Sequence, residues 1–158
     1  MPVKTAQPIS FRMPAEWEPH AATWLAWPHY RGDWPGKFEP IPWVYAEIIR
    51  HLGRQEQVEL IVNDAASEKR ARKTLDRANA LSDNVHFHRW PTNRVWTRDS
   101  GCTFVVEPRG DGRPRPLSAI KWRFNAWAKY SDWQKDRRVP ETAAKHLGKP
   151  LFDALVAA

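Results

Sequence analysis

Short apolar runs alternate with amphipathic stretches along most of the chain, and this alternation constrains the fold more than any other feature. Residues 21–27 form a nearly continuous apolar run that stops at Pro28, as expected of a strand covered on both faces. Further strand-like runs occupy residues 58–62, 85–90, 103–107 and 118–124, and another begins at 151–152. With three intervening helices the predicted order is β-α-β-α-β-β-β-α-(β), which is typical of an α/β domain.

The three predicted helices have recognisable ends and one apolar face each. The first begins at Pro42 and ends before Gly53, the second is capped by Asp64, and the third runs from Pro140 to Gly148. Their inward faces are predicted to be Val44, Tyr45, Ile48, Ile49 and Leu52 in the first, Ala71, Leu75, Ala78 and Leu81 in the second, and Ala143, Ala144 and Leu147 in the third. The predicted core comprises Trp24, Leu25, Val44, Ile48, Leu60, Val62, Phe87 and Phe104.

Composition predicts a single globular domain over residues 1–158, with 27% charged and 42% apolar residues. The longest apolar stretches are far shorter than a membrane span, and the start of the chain has no secretory signal, so no membrane partner is expected. The single cysteine, Cys102, excludes an internal disulfide and favours a reducing, cytoplasmic location.

A formal net charge of +7 raises the question of a nucleic-acid partner. The basic residues gather at 69–73, 109–115 and 135–138, on a predicted helix face and in loops. No recognised nucleic-acid motif joins these clusters. We therefore expect a solvated basic surface and no nucleic-acid binding.

Residues 94–104 combine charged and aromatic side chains next to a strand. Arg94, Arg98 and Asp99 lie on either side of Trp96, and an apolar strand follows. A carboxylate beside the turn glycine Gly101 is predicted to lie at the mouth of that strand, where α/β proteins place functional groups. A carboxylate and an aromatic ring together suit a guanidinium, one by bidentate pairing and the other by covering its face. The alternative is a salt-bridged Arg/Asp turn with Trp96 in the core.

His86 and His88 share one face of their predicted strand because side chains alternate along a strand. Such a pair could hold a metal ion, but no third ligand stands at a useful spacing in the sequence. The prediction is that the chain has no metal site.

Several motifs in order resemble the agmatine deiminase family, which belongs with the Porphyromonas-type peptidylarginine deiminases. They are Trp-Thr-Arg-Asp-Ser-Gly at 96–101, Trp-Arg-Phe-Asn-Ala-Trp-Ala-Lys-Tyr at 122–130, and the segments 13–20, 24–29, 33–38 and 62–64. The resemblance implies a pentein fold, an α/β propeller of ββαβ-type modules around a central active site. It also implies hydrolysis of agmatine to N-carbamoylputrescine and ammonia in putrescine biosynthesis, without metal or organic cofactor. In this family a cysteine thiolate attacks the guanidinium carbon, a histidine is the acid/base, and acidic residues hold the guanidinium nitrogens. The resemblance makes Asp99 a substrate-binding carboxylate and Trp96 an aromatic lining of the site.

Two departures from the family pattern limit what the resemblance implies. The family's Glu-Gly-Gly, His-x-Asp and glycine-rich cysteine segments do not occur in this sequence, and Cys102 stands where the family usually has proline. The neighbouring Asp99 also disfavours a thiolate at Cys102. We therefore expect an N-terminal portion of a partial pentein, with no catalytic residue of its own and little independent activity.

Three alternatives stay open: a basic non-catalytic binding module, a self-associating pentein half, and a protein-arginine deiminase. A partial propeller is expected to expose apolar surface, so homo-oligomers are possible.

Overall fold

The computed structural model describes residues 11–107 and 116–154, which form two three-stranded sheets with helices. The first sheet contains β1 (Ala22–Ala26), β2 (Gln57–Val62) and β3 (Val85–Arg89), all parallel and in that order. Helix α1 (Ile41–Leu52) connects β1 to β2, and α2 (Ala65–Arg77) connects β2 to β3. A one-turn helix, α3 (Thr97–Ser100), follows β3.

The second sheet has the predicted ββαβ sequence of elements. Strands β4 (Thr103–Val106) and β5 (Leu117–Lys121) are antiparallel, and α4 (Val139–Leu147) leads to β6 (Leu151–Asp153), which lies parallel to β5. Strand β5 is shorter than predicted, and the aromatic segment after it forms short 3₁₀ turns at Ala126–Ala128 and Asp136–Arg138. The predicted basic loop at 108–116 falls outside the described residues except for residue 116.

Strand β2 is the centre of the first sheet and is buried on both faces. Val58, Leu60 and Val62 point toward α1 and α2, where they meet Ile49 and Leu75. Ile61 points to the opposite face, where it joins Ala26, Val95 and Val139. The second group includes the first residue of α4, so the apolar core continues from the first sheet to the helix of the second.

Helix ends follow the predicted chemistry. The Asp64 carboxylate accepts the Ser67 backbone N–H at 2.7 Å and caps α2, and α4 ends at Gly148 in the left-handed conformation with φ of 61°. Helix α1 begins one residue before Pro42, which lies in its first turn, and Gly53 follows its last residue.

The predicted inner face of α1 was wrong in part. Ala46 and Ile49 are fully buried, whereas Val44 and Ile48 are 51% and 41% exposed. At 100° per residue these two side chains point about 160° away from Ala46, to the outer side of the helix. The stripe was ambiguous because apolar residues surround most of α1. Of the other predicted core residues, Leu60 and Val62 are buried, and Trp24, Leu25, Phe87 and Phe104 are partly buried.

Apolar surface is exposed at several places on the described residues, as expected of a partial propeller. Trp17 is the most exposed of the large apolar side chains described, and Met13, Val44, Trp122, Trp127 and Phe152 follow it in exposed fraction. Among the described residues, no helix has the length and apolar character needed to cross a bilayer.

Candidate functional site

Helix α3 is a single tight turn that fixes the position of the Trp96–Gly101 motif. The carbonyl of Trp96 accepts the backbone N–H of Ser100 at 3.0 Å and also its hydroxyl, while Thr97 Oγ1 donates to the Trp24 carbonyl of β1. Gly101 N–H donates to Thr97 O at 2.8 Å, and a Cβ on Gly101 would lie 2.4 Å from that same oxygen. Glycine is therefore required at 101 by close backbone approach.

Trp96 lies at the start of α3 with 37% of its surface exposed, so it is not a core residue. Its ring centroid is 5.9 Å from that of Trp34, whose ring in turn lies 6.0 Å from Phe38. These aromatic residues of the loop after β1 support one side of the indole. The other predicted site residue, Asp99, is three positions further along and is also exposed.

Within residues 11–107 and 116–154 the Asp99 carboxylate forms no hydrogen bond or ion pair, although its charge adds to that of Glu16 in raising the pKa of the Arg98 guanidinium. Its neighbour Arg98 pairs with Glu16 instead, and both of those side chains are mostly exposed. The salt-bridged turn proposed as the alternative from sequence therefore does not form between Arg98 and Asp99. An exposed carboxylate three residues after an exposed indole provides the two groups that suit an organic cation.

Arg94 is buried in a cage of carboxylates and tyrosines. Its guanidinium donates two hydrogen bonds to Asp132 at 2.8 and 2.9 Å, and its Nε lies 3.1 Å from Asp33 Oδ1 as an ion pair without hydrogen-bond alignment. The Tyr30 ring covers the guanidinium at 3.8 Å, and the Tyr130 ring lies 5.0 Å away. The protein thus binds one of its own guanidinium groups by bidentate pairing and ring stacking.

The pKa values of the acids around Arg94 are shifted in different directions. Burial raises the pKa of Asp33, although Arg94 acts in the opposite direction. Burial likewise raises the pKa of Asp136, whose carboxylate accepts the backbone N–H groups of Asn93 and Arg94. Asp132 is half-exposed, and its hydrogen bonds from Arg94 lower its pKa. The cage holds the chain of residues 93–94 against the 132–136 segment.

Cys102 is unsuited to be a nucleophile. Burial raises its pKa to about 11, and its Sγ donates to the Pro140 carbonyl at 3.7 Å. It borders a small cavity of about 50 Å³ that Trp24, Ile61 and Ala143 also line. A space of that size holds a few water molecules and no guanidinium compound. The prediction that Cys102 is not the family nucleophile fits this environment.

His86 and His88 share a face of β3, as predicted, and they have partners that the sequence spacing did not reveal. Both face Glu59 of β2, which is 5% exposed, and His146 of α4 reaches the same place. One ligand atom each from Glu59, His88 and His146 lies within 4.8 Å of the others. The signal in the sequence was a glutamate inside the apolar run 58–62.

The chain has relatives among known proteins. The family model described as Porphyromonas-type peptidyl-arginine deiminase matches residues 12–157. The agmatine deiminase of Pseudomonas aeruginosa (strain LESB58) is 34% identical over 143 residues, which are 87% of this chain and 36% of that protein. The agmatine deiminase of Ectopseudomonas mendocina is 34% identical over 140 residues, covering 85% and 35%.

Solved structures agree in fold. The agmatine deiminase of Enterococcus faecalis superposes with a TM-score of 0.77 at 21% identity, over 91% of this chain and 38% of that one. A C. jejuni agmatine deiminase with substrate bound gives a TM-score of 0.73 at 24% identity, over 92% and 40%. The chain spans about two-fifths of the length of these relatives, and its two sheets correspond to part of a pentein fold. With the family match over nearly its whole length, this chain belongs to the Porphyromonas-type peptidyl-arginine deiminase family.

Proposed function

We propose that this chain is the guanidinium-binding part of an agmatine deiminase-like hydrolase, with Asp99 and Trp96 as its substrate-binding residues. The observation that carries the proposal is the exposed Asp99 carboxylate, which has no hydrogen bond or ion pair among the described residues and stands three residues after the accessible Trp96. The named relatives are agmatine deiminases, which supports agmatine as the ligand and putrescine biosynthesis as the pathway. Agmatine carries a guanidinium that a carboxylate can bind with two hydrogen bonds.

The expected affinity of the isolated chain is low. Pairing of the guanidinium with one exposed, solvent-screened carboxylate contributes about 1.5–3 kcal/mol in all, and ring stacking on an exposed indole adds about 0.5–1 kcal/mol. The sum is at most about 4 kcal/mol, which corresponds to millimolar binding or weaker.

Turnover by this chain alone is not expected. A deiminase of the implied kind needs a thiolate, and the only cysteine has a pKa raised to about 11. The chain therefore binds and orients one end of the guanidinium, while the bond-breaking groups are absent from its described surface.

The test is a titration of the ¹⁵N-labelled 158-residue chain with agmatine. The Trp96 indole N–H resonance should shift with millimolar midpoint, and Asp99→Asn should abolish the shift because the amide turns a donor toward a ligand that offers only donors. Asp83→Asn is the matched control, since it removes an equal exposed charge elsewhere. Equal resonance shifts in Asp99→Asn and Asp83→Asn would contradict the proposal. Release of ammonia from agmatine by the wild-type chain would also contradict it if Cys102→Ser abolished that release.

The same titration separates agmatine from peptidyl-arginine. N-acetylarginine amide presents the same guanidinium with a peptide-like end. Stronger shifts with that compound favour the protein-arginine deiminase alternative.

We further propose a cytoplasmic protein of one domain that forms homo-oligomers. The single cysteine supports the location. The core shared by Ile61 of β2 and Val139 of α4 supports one domain. The outer side of α1 supports self-association, because Val44 and Ile48 are exposed there. Sedimentation of the wild type against Val44→Glu tests this last point.

A binding module for an anionic partner is a second candidate. A groove of about 350 Å³ between the loop after β1 and α2 is lined by Arg70, Lys73 and Arg77. Affinity for heparin or DNA that falls steeply with salt and is lost in Lys73→Glu would favour it. We expect no such affinity for heparin or DNA, because no nucleic-acid motif accompanies the groove.

A further inference from the structure

Glu59 is a buried carboxylate within the otherwise apolar run 58–62 of β2. Its side chain is 7% exposed, and its ion pairs within the described part of the chain are with histidines alone. His88 Nε2 lies 2.5 Å from Oε2, and His86 Nδ1 lies 3.4 Å from Oε1. A buried carboxylate is costly to desolvate, and a divalent cation bound to it would offset that cost.

A third ligand comes from the other half of the structure. His146 lies in the last turn of α4, and its ring is 4.6 Å from that of His88 at an interplanar angle of 70°. The ligand atoms of Glu59, His88 and His146 are all within 4.8 Å of one another.

From this convergence we propose that Glu59, His88 and His146 bind one divalent transition-metal ion such as Zn²⁺. The site ties the first sheet, through β2 and β3, to helix α4. It is separate from Asp99 and does not depend on the proposed function.

The distances allow coordination with small movements. Zn²⁺ binds histidine nitrogen and carboxylate oxygen at about 2.0–2.2 Å, so two tetrahedral ligand atoms lie about 3.4 Å apart. The Glu59–His88 contact must widen by about 0.9 Å, and the widest pair must close by about 1.4 Å at most. His146 is exposed on the helix surface, so its side chain is free to make this adjustment.

The surroundings suit a metal ion held by imidazole. The rings of Trp24 and Trp90 stack on His88 with centroids 5.2 and 4.6 Å away and fix its orientation. His86 approaches the second oxygen of Glu59 and orients the carboxylate from outside the ligand set. Two histidines and one carboxylate are ligands that Zn²⁺, Co²⁺ and Ni²⁺ accept, and the exposed side at His146 leaves room for water in the fourth position.

The proposal is tested by titrating the tag-free, chelator-treated 158-residue chain with ZnCl₂ by calorimetry and with CoCl₂ by visible absorption. We expect one ion per chain, a rise in melting temperature on binding, and cobalt d–d bands without the thiolate charge-transfer band that Cys102 would give. His146→Ala should weaken binding by more than the roughly 10–100-fold typical of an outer-shell loss, while leaving the fold intact because His146 is exposed.

His51→Ala is the control. His51 forms an exposed ion pair with Glu47, but among the described residues no third ligand joins these two. This variant should bind zinc like the wild type. His88→Ala should lose the site as well, with circular dichroism reporting whether it folds. Absence of micromolar binding, or equal binding by wild type and His146→Ala, overturns the proposal.

Discussion

Replacing Arg94 with methionine should destabilise the protein far more than the same change at Arg98. Arg94 is 6% exposed and faces Asp33, whose side chain is 4% exposed. Methionine preserves much of the volume but leaves the Asp33 carboxylate buried without its cation. Breaking a buried ion pair in this way costs about 3–5 kcal/mol. The Arg98–Glu16 pair is 83% and 64% exposed, so Arg98→Met should change stability very little.

Urea unfolding monitored by tryptophan fluorescence measures the difference. With an m-value of about 2 kcal/mol/M, Arg94→Met should lower the midpoint by about 1.5–2.5 M. The corresponding loss in melting temperature is about 6–20 °C for a domain of this size. Arg98→Met should keep the wild-type midpoint.

Acid should reduce the penalty of Arg94→Met. Burial already raises the Asp33 pKa, and removing Arg94 removes a cation that opposes the rise. A carboxyl whose folded pKa is raised destabilises the fold when ionised, above that pKa, and ceases to do so when it is protonated. The deficit should therefore be largest at neutral pH and shrink on acidification, and Asp33→Asn should rescue part of it. A midpoint change in Arg94→Met as small as in Arg98→Met, or no rescue by Asp33→Asn, refutes the reasoning.

Three further predictions concern single residues. Gly101→Ala should lower the melting temperature and weaken agmatine shifts at Trp96, because its Cβ would collide with Thr97 O. Cys102 should react slowly with iodoacetamide at neutral pH and reach half of its full rate only near its pKa of about 11. Because the folded chain holds this proton more tightly than the unfolded one, the free energy of unfolding should fall as the pH rises from 9 toward 11. Asp64→Ala should lower the melting temperature by removing the hydrogen bond to Ser67 N–H, whereas Asp83→Ala at an exposed position should not.

Local pattern was sufficient for most elements of the fold. Strand β2 was predicted within one residue of its observed start, because a β-branched run between a glycine-ended helix and a capped helix has few alternatives. The ββαβ order of the second sheet also followed from alternation. The inner face of α1 did not follow, since Ala46 is fully buried but is too small to mark an apolar stripe.

Local sequence pattern could not predict side-chain partners that are distant in sequence. Arg94 pairs with Asp132 across 38 positions, and His88 meets a glutamate 29 positions earlier. Which acid pairs with which cation depends on the register of β2 against β3 and on where α4 docks. The family resemblance assigned Asp99 and Trp96 as substrate-binding residues, but the sequence could not show that Arg94 and Arg98 pair with acids from other segments.

The ion pairs of the motif commit both of its arginines to acids from other segments. Arg94 and Arg98 stand on either side of Trp96, and either could neutralise a carboxylate close in sequence. The tight turn of α3 sends Arg98 outward to Glu16, while burial of Arg94 commits it to Asp33 and Asp132. Both neighbouring cations are thereby occupied by acids from other segments. The buried cage around Arg94 thus fixes the start of the motif against the segment 132–136.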